Sequence, residues 1–507
     1  MRIIGFLLPA AALLAAAMPA RAEWREATTD HFILTIDDTE AGARAFATRL
    51  ERFDAALRLL YGVADTPDRR ARRIRVYSLR DRPFAETCRC TGLLGYYRPR
   101  IPGSYIINAH MPKSDDKAKP GSWSSQTLLL HEYAHHFMYS NFPVAYPFWY
   151  SEGFAEFNAN VSFEDDGSIV LGYPANYRAE AMAGVPVGIK QLFEPNTYGY
   201  PTNIDTLYGR GWLLTHYLML MPQRKGQLSR YLELMNKGAH SLDAGRQAFG
   251  DLERLSDELD VYRRGKIGAP LRIPPPAHPG EVTVTTLPEG QAAMLPVYLL
   301  FTDGIAESYR MGQAMRAAKI AERYPEVAIV QEQLAEIEFV SGRLDRADAA
   351  ADRALKLRPG SVDALVVKGQ VAIKRAQNAR STDPAVWTAA RAWLLKANRA
   401  NPDAVMPLYS YYASFVAAKT KPSPSAITAL MRAAVLAPES KTIGYALARQ
   451  KLLDGEGEAA RTLLQPIAFA PHRKRNRNIP REIIALIDAG KLDAATALIT
   501  QDDDEDD

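Results

Sequence analysis

Two histidines spaced four residues apart, His131 and His135, constrain the fold of this 507-residue chain more than any other feature. Four residues make about one turn of an α-helix, so both imidazoles would lie on one helix face, where a single metal ion can bind them. Glu132 follows the first histidine and is placed to accept a proton from water at that face. The pattern predicts a metal-binding helix, although a buried amphipathic helix with two hydrogen-bonded histidines also fits it.

A second segment, from Trp149 to Phe157, offers a further ligand. Pro143 and Pro147 should end the first helix, because proline lacks the amide proton and crowds the preceding turn. The chain then enters another helix, in which Glu152 and Glu156 are again four residues apart. Two histidines and one carboxylate, with a fourth position open to water, are typical of catalytic rather than structural zinc sites.

Together the two segments resemble the gluzincin metallopeptidases, the clan of thermolysin-like and aminopeptidase-like enzymes within the peptidase MA superfamily. The resemblance rests on His131-Glu-Tyr-Ala-His135, followed after sixteen residues by Glu152-Gly-Phe-Ala-Glu156. It implies an α+β catalytic domain with a small mixed sheet and a helical lobe. It also implies that His131, His135 and Glu152 bind one zinc ion per chain, that Glu132 is the general base and that Glu156 orients a ligand histidine.

A later segment, Tyr208-Gly-Arg-Gly, resembles the Tyr-x-Lys-Gly segment of gluzincin aminopeptidases. The tyrosine of that family donates a hydrogen bond to the tetrahedral oxyanion, and the resemblance gives this role to Tyr208. Arg210 stands where the family usually has lysine, and the sequence has no Gly-x-Met-Glu-Asn segment, so endo- and exopeptidase action both stay open. A tyrosine at the start of an amphipathic helix is also a common core residue.

The first 22 residues have the pattern of a secretory signal peptide. Arg2 precedes an apolar run over 3–18, and Ala20-Arg21-Ala22 forms a small-x-small cleavage site. The apolar run is shorter than the roughly 20 residues of a membrane-spanning helix. We therefore expect an exported protein, periplasmic or secreted, with no transmembrane span in the mature chain.

Composition and charge exclude few classes of protein. The chain is 47% hydrophobic and 24% charged, as expected of two or three globular domains, and a formal net charge of +4 gives no argument for a nucleic-acid partner. The acidic residues 501–507 predict a disordered tail. Cys88 and Cys90 could form a strained disulfide or remain free thiols, and we place them outside the zinc site.

Residues 23–294, which follow the predicted signal peptide, divide into a catalytic domain over 23–267 and a proline-rich linker over 268–294. Within the catalytic domain, the resemblance implies a sheet edge that receives the substrate as an added strand. We assign that edge to Tyr105 to Ala109.

The remaining part, 295–500, is predicted to be an all-α solenoid. Five prolines close successive units and lie 34, 43, 36 and 33 residues apart: Pro325, Pro359, Pro402, Pro438 and Pro471. A period near 34 with a closing proline resembles tetratricopeptide repeats, and small residues such as Ala347 and Ala354 allow paired helices to approach closely. A generic helical bundle is the alternative.

These features favour an exported zinc metallopeptidase whose substrate is a peptide or protein and whose repeats bind a protein partner. One alternative is an exported tetratricopeptide-repeat scaffold with a catalytically inactive metallopeptidase-like domain. Another is a zinc hydrolase that acts on a non-peptide amide, for instance in cell-wall material.

Overall fold

The computed structural model describes residues 23–80, 94–110, 119–179, 187–265, 267–276, 280–470 and 477–505. The predicted signal peptide, Cys88 and Cys90 lie outside the described residues. Residues 501–505 of the predicted disordered tail continue the last described helix, Leu492–Glu505. Of the helices described, none has both the length and the apolar character needed to cross a membrane.

The N-terminal part is built on a mixed sheet of six strands in the order β4-β5-β3-β2-β1-β9. β2, β3 and β5 run parallel to one another, whereas β1 is antiparallel to both β2 and β9, and β4 is antiparallel to β5. The strands of this sheet are β1 (Glu23–Thr28), β2 (Phe32–Asp38), β3 (Ile74–Leu79), β4 (Gly95–Arg98), β5 (Tyr105–Ala109) and β9 (Thr283–Thr286). A smaller antiparallel sheet holds β6 (Val161–Phe163), β7 (Ile169–Leu171) and β8 (Leu271–Ile273).

Helices cover one face of the six-stranded sheet and form the helical lobe beside it. They are α1 (Glu40–Tyr61), α2 (Ser125–Asn141), α3 (Phe148–Ala159), α4 (Ile189–Phe193), α5 (Pro195–Tyr198), α6 (Asp205–Leu220), α7 (Gln227–Asn236), α8 (Ser241–Phe249) and α9 (Leu252–Arg264). The side chain of Thr39 caps α1 by accepting from Gly42 N, and Gly62 ends it in the left-handed region at φ 67°. The apolar stripe of α1, which includes Phe46 and Phe53, joins one core with Leu34 of β2.

The open edge of the sheet differs from the one predicted. β5, the strand that we expected at the edge, lies between β4 and β3, and the open edge is β4. The prediction was wrong because the short strand Gly95–Arg98 pairs antiparallel with β5, with Gly95 opposite Asn108, and covers it.

The segment 268–294 contains more than a linker. Within it, β8 pairs with β7 of the small sheet and β9 pairs with β1 of the large sheet. Thr283-Val-Thr-Thr286 has the β-branched composition that favours such a strand. The sheets of the N-terminal part therefore include residues beyond 267.

The C-terminal part is a series of helices that pack in consecutive pairs. They are α10 (Glu289–Asp303), α11 (Glu307–Arg323), α12 (Ala328–Val340), α13 (Leu344–Leu357), α14 (Val362–Asn378), α15 (Pro384–Ala400), α16 (Val405–Ala417), α17 (Pro424–Leu436), α18 (Lys441–Leu453), α19 (Gly457–Ala468), α20 (Ile479–Asp488) and α21 (Leu492–Glu505). Ala347 and Ala354 are fully buried, as are Ala426 and Ala433 at the matching positions of a later unit. This organisation confirms helical, tetratricopeptide-like repeats.

The predicted unit boundaries coincide with the ends of helix pairs. Pro359, Pro402 and Pro438 lie two residues after the last residue of α13, α15 and α17, and Pro471 lies outside the described residues. The unit that ends at Pro402 is longer because α14 and α15 have 17 residues each, whereas α12 has 13 and α13 has 14. The insertion that breaks the period thus lengthens both helices of one pair.

The repeats pack directly against the second face of the six-stranded sheet. Leu295 and Leu299 of α10 share a buried cluster with Tyr77 and Ile107, and the Tyr105 hydroxyl donates to Asp303 Oδ1 at 3.0 Å. Farther along, Arg432 donates to both carboxylate oxygens of Asp68, at 3.1 and 2.9 Å. Ser104 Oγ donates to Glu439 Oε1 at 2.6 Å. Both faces of the sheet are therefore covered, which explains why every residue of β5 is buried.

Leu299→Ala should destabilise the protein by about 2–5 kcal/mol, because it removes a side chain that is 1% exposed between α10 and the sheet. Leu395→Ala is the matched control on an exposed helix face, where Leu395 is 40% exposed, and should change stability by no more than about 0.5 kcal/mol. Denaturant unfolding measures both. Equal midpoints for the wild type and Leu299→Ala would contradict the packing of α10 on the sheet.

Candidate metal centre

Helix α2 holds the two histidines in the position that their spacing predicts. Ser124 Oγ accepts from Thr127 N at 2.9 Å and caps the start of the helix, and the helix ends at Asn141, two residues before Pro143. Phe137 and Met138, each 1% exposed, bury the helix in the main core. His131 and His135 are themselves buried, at 8% and 6% exposure.

Helix α3 carries Glu152 toward α2 and is held from behind by α6 at two glycines. A Cβ on Gly153 would lie 2.2 Å from Thr215 Oγ1 and 2.4 Å from the Gly211 carbonyl oxygen. A Cβ on Gly211 would lie 2.5 Å from the Trp149 carbonyl oxygen. Only glycine permits this close crossing of the two helices, so Gly153 and Gly211 set the position of Glu152.

The three predicted ligand atoms form a compact triangle. His131 Nε2 lies 3.2 Å from His135 Nε2 and 3.4 Å from Glu152 Oε2, and His135 Nε2 lies 3.5 Å from Glu152 Oε2. Zinc bonds to nitrogen and oxygen are about 2.0–2.1 Å long, so two ligands of a tetrahedral site are separated by about 3.3–3.4 Å. The donor types and their separations therefore fit one zinc ion with a fourth position free.

Local charge favours a cation at this triangle. Three carboxylates, those of Glu132, Glu152 and Glu156, surround the two imidazoles. Burial opposes protonation of His131, but its hydrogen bond to Glu152 and the charges of Glu156 and Glu132 raise its pKa to about 9. The imidazole pair thus lies in a negative potential, which a divalent cation would neutralise.

Glu132 is held beside the triangle by the open edge of the sheet. The backbone N–H of Tyr97 in β4 donates to Glu132 Oε2 at 2.9 Å. Burial raises the pKa of Glu132, partly offset by the two imidazoles, and Glu152 raises it further. A carboxyl group with a raised pKa is suited to accepting and returning a proton near neutral pH.

Glu156 supports His131 from the side away from the triangle. Its Oε1 lies 3.7 Å from His131 Nδ1, so the carboxylate faces the ring nitrogen that is not in the triangle. The carboxylate is fully buried and accepts from Arg178 Nη2 at 2.6 Å, from Arg178 Nε at 3.0 Å and from the Tyr177 hydroxyl. Arg178 compensates the buried charge, and the orienting role of Glu156 stays a prediction.

The structure adds supporting residues that the sequence analysis missed. Ser151 Oγ lies 3.5 Å from His135 Nδ1 and 2.7 Å from the Tyr139 hydroxyl, whose ring stacks on the His135 ring at 5.9 Å. Tyr177 and Arg178 belong to a 3₁₀ helix, Asn176–Arg178, in a segment that the sequence left irregular. Their only sequence signal was an aromatic and a basic residue in that segment.

Tyr208 lies near the triangle on the first turn of α6. Its ring contacts Phe148 at 5.7 Å and the Arg178 guanidinium at 4.8 Å, and it is half-buried rather than part of the core. Burial and the charge of Glu152 raise its pKa, so its hydroxyl stays protonated at neutral pH. Arg210 points elsewhere and binds Asp260 of α9 at 2.5 Å.

A second group of potential ligands consists of His31, Glu51 and Asp54, and both of its carboxylates already accept hydrogen bonds from neighbouring residues. Asp54 accepts from Arg58 Nε at 2.6 Å and from the Tyr133 hydroxyl at 2.5 Å. Glu51 accepts from the backbone N–H and from Nδ1 of His31, both at 2.9 Å. This group is an ion-pair network that anchors α2 through Tyr133.

No family model matches the sequence, and no curated protein matches it. Among solved structures, the chain is similar to the crystal structure of yeast Tom70, at 13% sequence identity and a TM-score of 0.26. The likeness covers 73% of this chain and 82% of that chain. A TM-score this low carries no argument about fold or function.

We expect the purified chain to bind about one zinc ion, and His131→Ala and Glu152→Ala each to lose it, because each removes one corner of the triangle. His136→Ala is the matched control, since His136 lies on the same helix but faces the Tyr97 hydroxyl at 3.3 Å. Elemental analysis after dialysis measures the zinc content. Equal zinc in the wild type, His131→Ala and Glu152→Ala would rule out the triangle as the binding site.

Proposed function

We propose that this protein is a zinc-dependent hydrolase of peptide bonds, of the gluzincin type. The observation that supports it most is the triangle of His131, His135 and Glu152, whose separations fit a tetrahedral zinc ion. Glu132 and Tyr208 lie next to the triangle, where a general base and an oxyanion donor are needed. Chance histidines in a buried helix would not bring this set together.

The chemistry divides between the ion and the chain. A bound zinc ion lowers the pKa of water to about 7 and polarises a carbonyl group. Glu132 takes the proton of the attacking water and returns it to the leaving amine. Because Tyr97 N–H holds Oε2, we assign the proton transfer to the other oxygen of Glu132, Oε1. The protonated Tyr208 hydroxyl donates a hydrogen bond to the oxyanion as the tetrahedral species forms.

Strand β4 is the element against which an extended substrate would align. Leu94 O accepts from Ala109 N at 2.7 Å, so the backbone groups of Gly95 and Tyr97 face the open edge. The contact from Tyr97 N–H to Glu132 confirms that direction for Tyr97. A peptide added to this edge as a further strand would run beside the base and the triangle.

The proposed function also includes a role for the helical repeats. Stacked helical pairs present extended surfaces of the kind that bind protein segments, so we assign to them the recruitment of a partner or substrate protein. The pattern of residues 1–22 supports an exported protein that works in the periplasm or outside the cell.

The competing proposal is an exported repeat scaffold with an inactive metallopeptidase-like domain. The helical repeats support it equally well, because they do not depend on the metal centre. It predicts no turnover in any variant, so the two proposals separate on activity alone.

Glu132→Gln should abolish cleavage of an unfolded protein substrate while the chain keeps its zinc, because the amide cannot take a proton but none of the three ligands is changed. His131→Ala should lose both zinc and activity. Peptide release and elemental analysis on the same samples measure the pair of effects. Glu233→Gln, an exposed glutamate on α7, is the control and should match the wild type. Equal turnover in Glu132→Gln and the wild type would refute the mechanism.

Tyr208→Phe should lower kcat by about 10²–10³-fold, with zinc content and KM nearly unchanged, because it removes one hydrogen-bond donor to the oxyanion. Tyr200→Phe is the matched control, an exposed tyrosine whose ring also contacts Phe148. Steady-state kinetics on a fluorogenic peptide measures both. A rise in KM at constant kcat would assign Tyr208 to substrate binding instead.

A further inference from the structure

A cavity of about 330 Å³ lies between the six-stranded sheet and the repeats, and its lining includes none of the three residues of the metal triangle. Its wall on the sheet side comes from the segment 70–75 and the turn 101–104. Its wall on the repeat side comes from the start of α14, the connection between α15 and α16, and the residues that follow α17. Small-molecule sites range from about 300 to 1,000 Å³, so the cavity has room for a small ligand.

The sheet side of this cavity is rich in arginine. Arg69 and Arg70, at the start of the run, bind Asp30 at 3.2 and 2.8 Å. Arg72, Arg73 and Arg75 follow and line the cavity. None of these three forms an ion pair with a carboxylate of the described residues.

The environment of Arg72 and Arg73 disfavours their charge. Nε of Arg73 is buried and has no hydrogen-bond partner among the described residues. Burial lowers the pKa of Arg72, partly offset by the Glu439 carboxylate, and it lowers the pKa of Arg73, which the neighbouring cation Arg70 lowers further. For Arg75, burial opposes the charge, but Tyr77 and the carboxylate of Asp363 raise its pKa. Guanidinium groups that form no ion pair with a carboxylate are stabilised by an anion that binds two of them.

The carboxylates on the opposite wall are largely engaged. Asp403 accepts from Arg432 at 2.7 Å, and Glu439 accepts from Ser104 Oγ at 2.6 Å. Asp363 lies exposed in the first turn of α14. The remaining lining of the cavity is mostly apolar. It includes Ile33 and Ile101 on the sheet side and Val405, Met406 and Leu436 on the repeat side.

From this arrangement we infer that the cavity between the sheet and the repeats is a binding site for a small organic anion. A carboxylate or phosphate group would bind Arg73 and Arg75, and a short apolar tail would lie along the apolar wall. Arg72, whose Nη2 donates to the Ser140 carbonyl at 2.7 Å, would add positive potential from the inner end. This site is independent of the proposed hydrolase activity.

Isothermal titration calorimetry on the full chain tests the inference with four probes: hexanoate, hexyl phosphate, inorganic phosphate and hexanol. At least one of the two hexyl anions should bind with one site per chain, and the tighter one identifies the head group. Inorganic phosphate should bind at least about 10-fold more weakly than the hexyl anions, and hexanol should not bind measurably. Failure of both hexyl anions to bind, or equal affinity for inorganic phosphate and hexyl phosphate, would overturn the inference.

Amino-acid substitutions test where the hexyl anion binds. Arg73→Gln and Arg75→Gln should each weaken the hexyl anion by about 10-fold or more, because each removes a charged hydrogen-bond donor. Arg80→Gln is the matched control, just beyond the opposite end of β3, where Arg80 pairs with Asp37 at 3.0 Å, and should leave the affinity unchanged. Ala404→Phe, which fills the cavity from the repeat side without changing charge, should also weaken binding. Binding at the metal centre would survive all these changes, and unchanged affinity in Arg73→Gln, Arg75→Gln and Ala404→Phe would refute the site.

Discussion

The close crossing of α3 and α6 is the constraint on which the candidate site depends. Gly153 and Gly211 let the two backbones approach to distances that no Cβ would permit, and this sets Glu152 opposite the imidazoles of α2. The same contact brings the first turn of α6, with Tyr208, toward Phe148 of α3. One steric feature therefore determines the position of a ligand and of the candidate oxyanion donor.

The candidate site also requires that the buried charge of Glu156 be compensated. Glu156 is fully buried, and a buried carboxylate is costly unless it is paired and hydrogen-bonded. Arg178 and the Tyr177 hydroxyl meet that need, and Arg178 in turn lies over the ring of Tyr208. The pairing explains how a cluster rich in carboxylates can exist inside the N-terminal part.

The sequence predicts the three residues of the metal triangle and misses some of the residues that support them. The pair His131 and His135 follows from helical spacing, because residues four apart share a face, and the choice of Glu152 as the third ligand follows from the resemblance to gluzincins. Ser151, Tyr177 and Arg178 could not be found this way, since their contacts join segments that helical periodicity does not relate. The sheet edge was misassigned because the sequence does not show which of the two strands β4 and β5 pairs with β3 and which one is left at the edge. The repeats were predictable because the same spacing of prolines and small residues occurs in several successive units.

The position of α10 has a consequence for any attempt to isolate the N-terminal part. A fragment that ends at residue 267 would lack β8 and β9 and would uncover Tyr77, Tyr105 and Ile107, which Leu295 and Leu299 of α10 now cover. Exposed apolar sheet faces and unpaired strands promote aggregation. A fragment that keeps the N-terminal sheet intact therefore has to include β8, β9 and α10.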